Sequence, residues 1–405
     1  MRRIDLTKAQ AARSSTIRDI NRQIVLNYVR DREPISRADI ARITELQRST
    51  VSTIVEELKS EGLIEEIGAG ASTGGRRPTL LRLRAAGATA IGVDIKPSST
   101  TIVTSDLVGR VIRREELPNS SRPDEMSACI IECVRDFAAR DDTGNVAGVG
   151  VSVPGLIDPG TGRAIYIPFF KWRDWAIAEE IERATGLVAR VDNDANAAAL
   201  AELWFGRPEV SDSRDFIMVL VAEGIGTGIV FDGQIYRGER GAAGEFGHMI
   251  VGQQAPVACS CGNHDCWEAF ASERATVARY LRATQNGDEG ARRHVGFHEV
   301  VERALGGEQA AIDSLTETAH FLGIGVSNLI VGLSPESVVV GGHITRAWPI
   351  VSALLEETIQ RSIRRGLPSA RIVASTLHEP TLMGAISLVL ARKFGLTEGQ
   401  DFKND

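Results

Sequence analysis

The chain has 405 residues, 43% of them hydrophobic and 24% charged, which is ordinary for a soluble globular protein with two or three domains. No apolar run reaches the roughly 18 residues that a membrane span needs, and Met1-Arg2-Arg3-Ile4-Asp5 lacks the apolar core of a signal peptide, so a cytoplasmic protein without membrane contact is expected. The net charge of −7 is unevenly spread: residues 1–85 carry 16 Lys and Arg against 11 Asp and Glu, so a basic head precedes an acidic body.

In the head, Ile17, Ile20, Ile24, Val25 and Tyr28 follow helical spacing, and Ser36 is placed to cap a short second helix carrying Ile40, Ala41 and Ile43. After the turn Thr44-Glu45-Leu46-Gln47, a third helix is expected from Arg48 to Leu58. Val51, Ile54, Val55 and Leu58 supply its buried face, while Arg48, Ser49, Thr50, Ser52 and Thr53 make its outer side small, polar and basic. Two helices across a tight turn, the second rich in hydroxyl and guanidinium groups at its start, form the helix-turn-helix arrangement that enters a major groove. Strands near residues 63–67 and 79–83 flank a glycine-rich loop with Arg76 and Arg77, the composition of a wing that reaches phosphates or the minor groove. Operator DNA is the expected partner, with Arg37, Arg48, Ser49, Thr50, Ser52, Thr53, Arg76 and Arg77 as the candidate contacts.

The body opens with strands at 90–95, 100–106 and 109–113, a helix near 124–140, and a strand at 146–153 closed by Pro154-Gly155. Cys129 and Cys133 stand four apart in that helix and are expected as buried core thiols. The same hairpin pattern returns at 216–221, 228–231 and 233–236. Repeated units of this kind predict an α/β body of two actin-like lobes with a cleft between them, behind an N-terminal winged helix-turn-helix. The expected boundaries are 1–85 for the DNA-binding domain, 86–200 for the first lobe and 201–405 for the second, whose last helix can return to the first.

One imidazole and three thiols gather in the second lobe, at His248, Cys259, Cys261 and Cys266. Three of the five cysteines fall within eight positions in a turn-rich run, which is the pattern of one structural Zn(II) per chain held by four protein ligands. Glu245 and Glu268 flank these ligands, so a metal that pins the loop also fixes two carboxylates, and paired carboxylates suit the hydroxyls of a sugar.

Head and body together resemble the ROK family of repressors and sugar kinases over residues 15 to 395. The resemblance rests on Val153-Pro154-Gly155, on Asn193-Asp194-Ala195-Asn196 running to Glu202, on Gly244-Glu245-Phe246-Gly247-His248 and on the cysteine run. The Gly74-Gly75-Arg76-Arg77-Pro78 segment resembles the wing of its xylose and N-acetylglucosamine repressors. The resemblance implies that Gly155, Asn193, Asp194, Glu245, His248 and Glu268 surround a sugar, with His248 serving metal and sugar together. Asp194 matches the general base of the kinases and is read here as vestigial. Asn193-Asp194 also stand where a cap of the following helix belongs.

Family kinases carry Asp-Xaa-Gly-Gly-Thr at the first phosphate loop, where this chain has Asp94-Ile95-Lys96-Pro97-Ser98-Ser99. Proline has no amide hydrogen to offer a phosphate, and the second loop, Ala222-Glu223-Gly224, carries a carboxylate where a triphosphate would lie. Gly341-Gly342-His343 departs more mildly from the adenosine region of the kinases, and Phe169 stands where many relatives have an asparagine near the sugar. The expected function is a sugar-responsive repressor of carbohydrate-utilisation genes, not an enzyme, acting as a homodimer or homotetramer. The alternative is an ATP-dependent sugar kinase that also binds DNA.

Overall fold

The computed structural model describes residues 14–70, 77–211, 213–284, 295–362 and 369–394. The head has three helices, Ser14–Asp31, Arg37–Thr44 and Arg48–Ser60, and a small sheet in which Thr79–Leu83 pairs antiparallel with Ile64–Ala69 and with Ile35–Ser36. Ser36 caps the second helix as expected, its hydroxyl accepting from the Asp39 amide at 3.2 Å. Glu45 then takes a left-handed conformation that turns the chain into the third helix. Val51, Ile54, Val55 and Leu58 are all buried on one face of that helix.

Two five-stranded sheets build the body, and they share one topology. In the first the order is 189–193, 146–153, 89–95, 99–105, 111–118; in the second it is 234–235, 225–231, 216–221, 337–342, 371–374, read from the opposite edge. Each centres on an antiparallel hairpin extended by parallel strands, so the duplicated hairpin seen in the sequence is a duplicated lobe. A third, three-stranded sheet from residues 156–175 carries Trp172 and Trp175 into the first core. In helix Pro123–Ala139 Cys133 is buried, but Cys129 is exposed. The expectation of two core thiols is therefore corrected for Cys129, which falls on the outer side of the apolar stripe.

Helix Asp194–Phe205 and helix Pro380–Phe394 form the joint between the lobes. The first packs on strand Ile225–Phe231 and the second on strand Val146–Val153, and they cross each other backbone to backbone. A Cβ at Gly384 would stand 2.2 Å from the Ala197 carbonyl oxygen, so only glycine permits this crossing. The alanine-rich helix Asp194–Phe205 is buried nearly all round, as its position between two sheets requires.

The head is not a free appendage. Its core residues Val25, Leu26, Val29, Leu81 and Leu83 join one hydrophobic cluster with Leu382, Ile386, Val389, Leu390 and Phe394 of the last helix. Asn27 donates to the Phe394 carbonyl at 2.8 Å, and the Arg30 guanidinium lies over the Trp204 ring. Among the described residues no helix is long and apolar enough to cross a membrane.

Candidate functional site

The cleft between the lobes holds a cavity of about 390 Å³. Its walls include all six residues expected around a sugar: Gly155, Asn193, Asp194, Glu245, His248 and Glu268. They arrive from separate elements, and their positions have separate causes.

Asn193 ends strand Ala189–Asn193 and caps the joint helix, its Oδ1 accepting from the amides of Ala195 at 2.9 Å and Asn196 at 3.3 Å. Its Nδ2 donates to the Gly155 carbonyl at 3.0 Å. Capping and cavity-lining are thus both properties of this side chain, and its remaining N–H is what it can offer a ligand. Gly155 sits at φ +151, and a Cβ there would meet the Tyr166 carbonyl oxygen at 2.4 Å. Asp194, at the first turn of the helix, is partly accessible from the cavity yet enclosed by protein. That desolvation pushes its carboxyl up to about 7, with Asp94 and Glu245 adding to the effect.

On the opposite wall, Glu245 and His248 lie in a short 3₁₀ turn, with the Glu245 Oε2 3.4 Å from the His248 Nε2. The other imidazole nitrogen, Nδ1, faces the Cys259 Sγ at 3.3 Å. Cys259 and Cys261 Sγ atoms are 3.2 Å apart, Cys261 and Cys266 3.8 Å, and the four donor atoms all lie within 4.8 Å of one another. This group can hold a metal ion. Trp267, fully buried, anchors it from below: its indole donates to the Phe321 carbonyl at 2.9 Å and its ring packs against Gly325. Cys266 and Glu268 flank that anchor and are fixed by it.

Glu268 is buried and spans the two functions. Its Oε1 accepts from the Cys259 thiol at 3.0 Å and the Ser260 hydroxyl at 3.2 Å. Its Oε2 faces Gly224, where an added Cβ would come within 2.6 Å. One carboxylate therefore touches the cysteine loop and the cavity together.

At the far end of the cavity, residues 95–100 form a tight hairpin turn. The Lys96 amide donates to the Ser99 carbonyl at 3.0 Å, and Asn119 donates to the Lys96 carbonyl at 2.7 Å. The Lys96 ammonium lies 3.1 Å from buried Asp94, whose carboxyl burial pushes upward. The Ala222 amide bonds the Gly224 carbonyl at 3.0 Å across the second hairpin turn. His343 pairs with Glu273 at 3.0 Å. Phe169 is exposed at the cavity wall, edge-on to Phe170.

The residues with the cysteine loop, the Asn193-Asp194 helix start and the two like lobes match the ROK family over residues 90–392. The chain belongs to the ROK family. Residues 24–77 of the head match the MarR family. Among relatives of the ROK chain, the xylose repressor of Caldicellulosiruptor bescii is 31% identical, covering 94% of this chain and 98% of the relative. The N-acetylglucosamine repressor of Escherichia coli O157:H7 is 28% identical, covering 94% and 95%. Among solved structures, a ROK family transcriptional regulator, a homolog of the E. coli MLC protein, matches with a TM-score of 0.80 at 26% identity, over 94% of this chain and 97% of that one. A ROK family glucokinase from Streptomyces griseus, solved with glucose and AMPPNP, matches with a TM-score of 0.65 at 28% identity, over 74% of this chain and 98% of that one.

In the head of this ROK protein, Arg48, Ser49 and Thr53 are exposed and Thr50 and Ser52 half-buried along the third helix. Arg77 is exposed, and Arg76 lies outside the described residues. Arg37, another expected contact, is engaged within the domain. It pairs with Glu56 at 2.6 Å and Glu66 at 2.7 Å, and so ties the second helix to the third and to the wing. Thr381, whose hydroxyl donates to Asp94 at 2.7 Å from the start of the last helix, and the Arg30–Trp204 contact carry no signal in the sequence. Such partners are remote in sequence, and no local pattern marks them.

Proposed function

We propose that this chain is a sugar-responsive DNA-binding repressor of carbohydrate-utilisation genes, with the sugar held in the cleft and DNA read by the third helix and the wing. The observation that carries this reading is the shared construction of head and cleft. Both helices of the lobe joint begin at the cavity, at Asp194 and at Pro380-Thr381, and both end against the head, at Trp204 and Phe394. A sugar that favours one lobe arrangement over the other then biases the head, as any ligand-driven shift requires. The full-length likeness to relatives named as repressors supports the same reading.

Asn193, Asp194, Glu245, His248 and Glu268 are the proposed hydroxyl partners, with Gly155 shaping the wall. His248, Cys259, Cys261 and Cys266 are the proposed ligands of one structural zinc ion. The fit rests on donor chemistry and spacing: a tetrahedron with Zn–S bonds of about 2.3 Å has S–S edges of about 3.8 Å, the Cys259–Cys261 and Cys261–Cys266 pairs lie at or inside that distance, and all four donor atoms lie within 4.8 Å of one another. Zinc would hold the cysteine loop against the cavity; His248 keeps its second nitrogen, and Glu268 one oxygen, for the ligand side. Arg37, Arg48, Ser49, Thr50, Ser52, Thr53, Arg76 and Arg77 are the proposed DNA contacts, on a cytoplasmic dimer or tetramer that presents paired heads.

The body is not proposed as a kinase. Pro97 has no N–H, the amides of Lys96 and Ala222 are bonded within their own turns, and Glu223 adds negative charge. Incubation with ATP, magnesium and a panel of mono- and disaccharides tests this. No sugar phosphate above background is expected, and steady production would establish the kinase reading instead.

A further inference from the structure

Acidic groups outnumber basic ones in the cavity. Seven carboxylates line it against one lysine, one arginine and three histidines, of which His343 is matched by Glu273 at 3.0 Å. The lysine, Lys96, is spent on Asp94 at 3.1 Å. The arginine, Arg274, lies 3.8 Å from Glu268 and donates from Nε to the Glu223 backbone carbonyl at 2.8 Å. Glu379 is matched by Arg114 at 2.7 Å from outside the lining. Among the described residues Asp194, Glu223 and Glu245 make no ion pair with an arginine or lysine, although Arg274 lies close enough to Glu223 to draw its carboxyl down. Burial pushes Asp194 and the exposed Glu223 upward, and neighbouring carboxylates add to it: Asp94 and Glu245 at Asp194, Glu273 at Glu223.

A phosphate ester needs the opposite surroundings: free backbone amides, guanidinium or ammonium groups, or a helix start clear of acids. Here the amides of Lys96 and Ala222 are bonded to Ser99 and Gly224, Pro97 has none, and the helix start nearest the sugar wall carries Asp194. Lys96, Arg274 and His343 each already face a carboxylate of the cavity, which leaves them little to offer a dianion, whereas the carboxylates and the His248 imidazole suit neutral hydroxyls.

We propose that the effector is an uncharged sugar and that the cavity rejects phosphorylated sugars, with Glu223, at the second hairpin turn, as the specificity-determining residue. Glu223 stands at the hairpin turn between strands Phe216–Val221 and Ile225–Phe231, beside Gly224, whose missing side chain leaves room for Glu268. Glu223 lines the same cavity as Lys96 and His343. The inference rests on the sugar-sensor reading given above and adds the chemical class of its ligand, which bears on cell physiology: the protein would report a sugar before its phosphorylation, not after.

The test is calorimetric titration of the full-length protein with xylose, glucose and N-acetylglucosamine and with the phosphate ester of each. At least one neutral sugar is expected to bind, with its ester weaker by about 30-fold or more, from like-charge repulsion in a partly dry site. Raising the ionic strength should narrow that ratio, because repulsion is screened, and Glu223→Gln should narrow it by roughly 5-fold, an effect a purely structural role would not produce. An ester that binds as tightly as its parent sugar, or more tightly, overturns the inference while leaving a sugar sensor standing. A ratio indifferent to both salt and Glu223→Gln removes Glu223 from the role. Binding of neither member of any pair would sink the sugar-sensor reading itself, and this inference with it.

Discussion

The Arg30 guanidinium lies 4.1 Å from the centre of the Trp204 ring, which places a residue of the DNA-binding head on the helix that begins at Asp194 in the cavity. The same guanidinium lies 5.5 Å from Phe394, the end of the other joint helix. One side chain of the head therefore touches the far ends of both helices that line the cleft with their starts.

A contact of this type contributes about 0.5–2 kcal/mol. Arg30→Ala or Trp204→Ala should leave sugar affinity within about 3-fold of the parent while the change in DNA affinity caused by sugar shrinks by roughly 3- to 30-fold. Fluorescence anisotropy on labelled DNA with and without sugar reads both quantities. An undiminished sugar effect on DNA in both variants would mean that the head is coupled by another route.

The metal loop makes a second prediction. Cys261→Ser and Cys259→Ser should each lose the zinc ion, measured as metal per chain, and with it most sugar affinity, since Glu268 accepts from Cys259 and Ser260 on one side and faces the cavity on the other. Full metal content in both variants would refute the ligand set.

Asp194 makes stability depend on pH in a defined direction. Its folded carboxyl is raised to about 7 from the ordinary 3.8, so in that interval the folded chain holds a proton that the unfolded chain has released. Stability contributed by this group is therefore lost as pH rises through that window, and the penalty is complete above about pH 7. Asp194→Asn should be more stable than the parent at about pH 8, by on the order of 2–4 kcal/mol, with the gap closing toward about pH 4. Thermal melts across pH would contradict this if the gap were flat. Sugar binding should fall in the same variant, because a carboxylate acceptor is gone.

Gly384→Ala should separate the joint helices, because its Cβ would lie 2.2 Å from the Ala197 carbonyl oxygen. A loss of about 2–3 kcal/mol is expected from overpacking of this kind, seen as a lowered melting temperature. Ala197→Gly removes the 2.7 Å contact with the Ala197 Cβ but leaves the backbone carbonyl in place, so it should rescue only a minor part of the loss; full recovery would place the strain elsewhere.

The parts of this molecule that the sequence made legible are those built from neighbours in the chain. Ser36 and the apolar spacing of residues 51–58 mark the helix-turn-helix, and the cysteine run marks the group that can hold a metal ion, because capping and the spacing of these donors are local in the chain. The repeated hairpins predicted two lobes for the same reason. What stayed hidden depends on long-range packing. Arg37 looks like a free basic residue until Glu56 and Glu66 fold against it, and Cys129 falls on the solvent side of an otherwise buried stripe. The role of Asn193 was legible only in part: its position announced both a cap and a ligand wall, and the fold uses it for the cap while setting it in the cavity. The crossing of the joint helices, and Arg30 on Trp204, bring together residues 174 or more positions apart in sequence.

Sugar in the cleft should change the hold on DNA. Anisotropy reads this on a duplex that the full-length protein has itself selected from a random pool, titrated at fixed salt with the sugar that raises its melting temperature. Saturating sugar is expected to weaken DNA binding by about 10-fold or more, the coupling typical of an allosteric switch. DNA affinity unchanged at saturating sugar, with the metal bound and the protein folded, would show that cleft and head are not coupled.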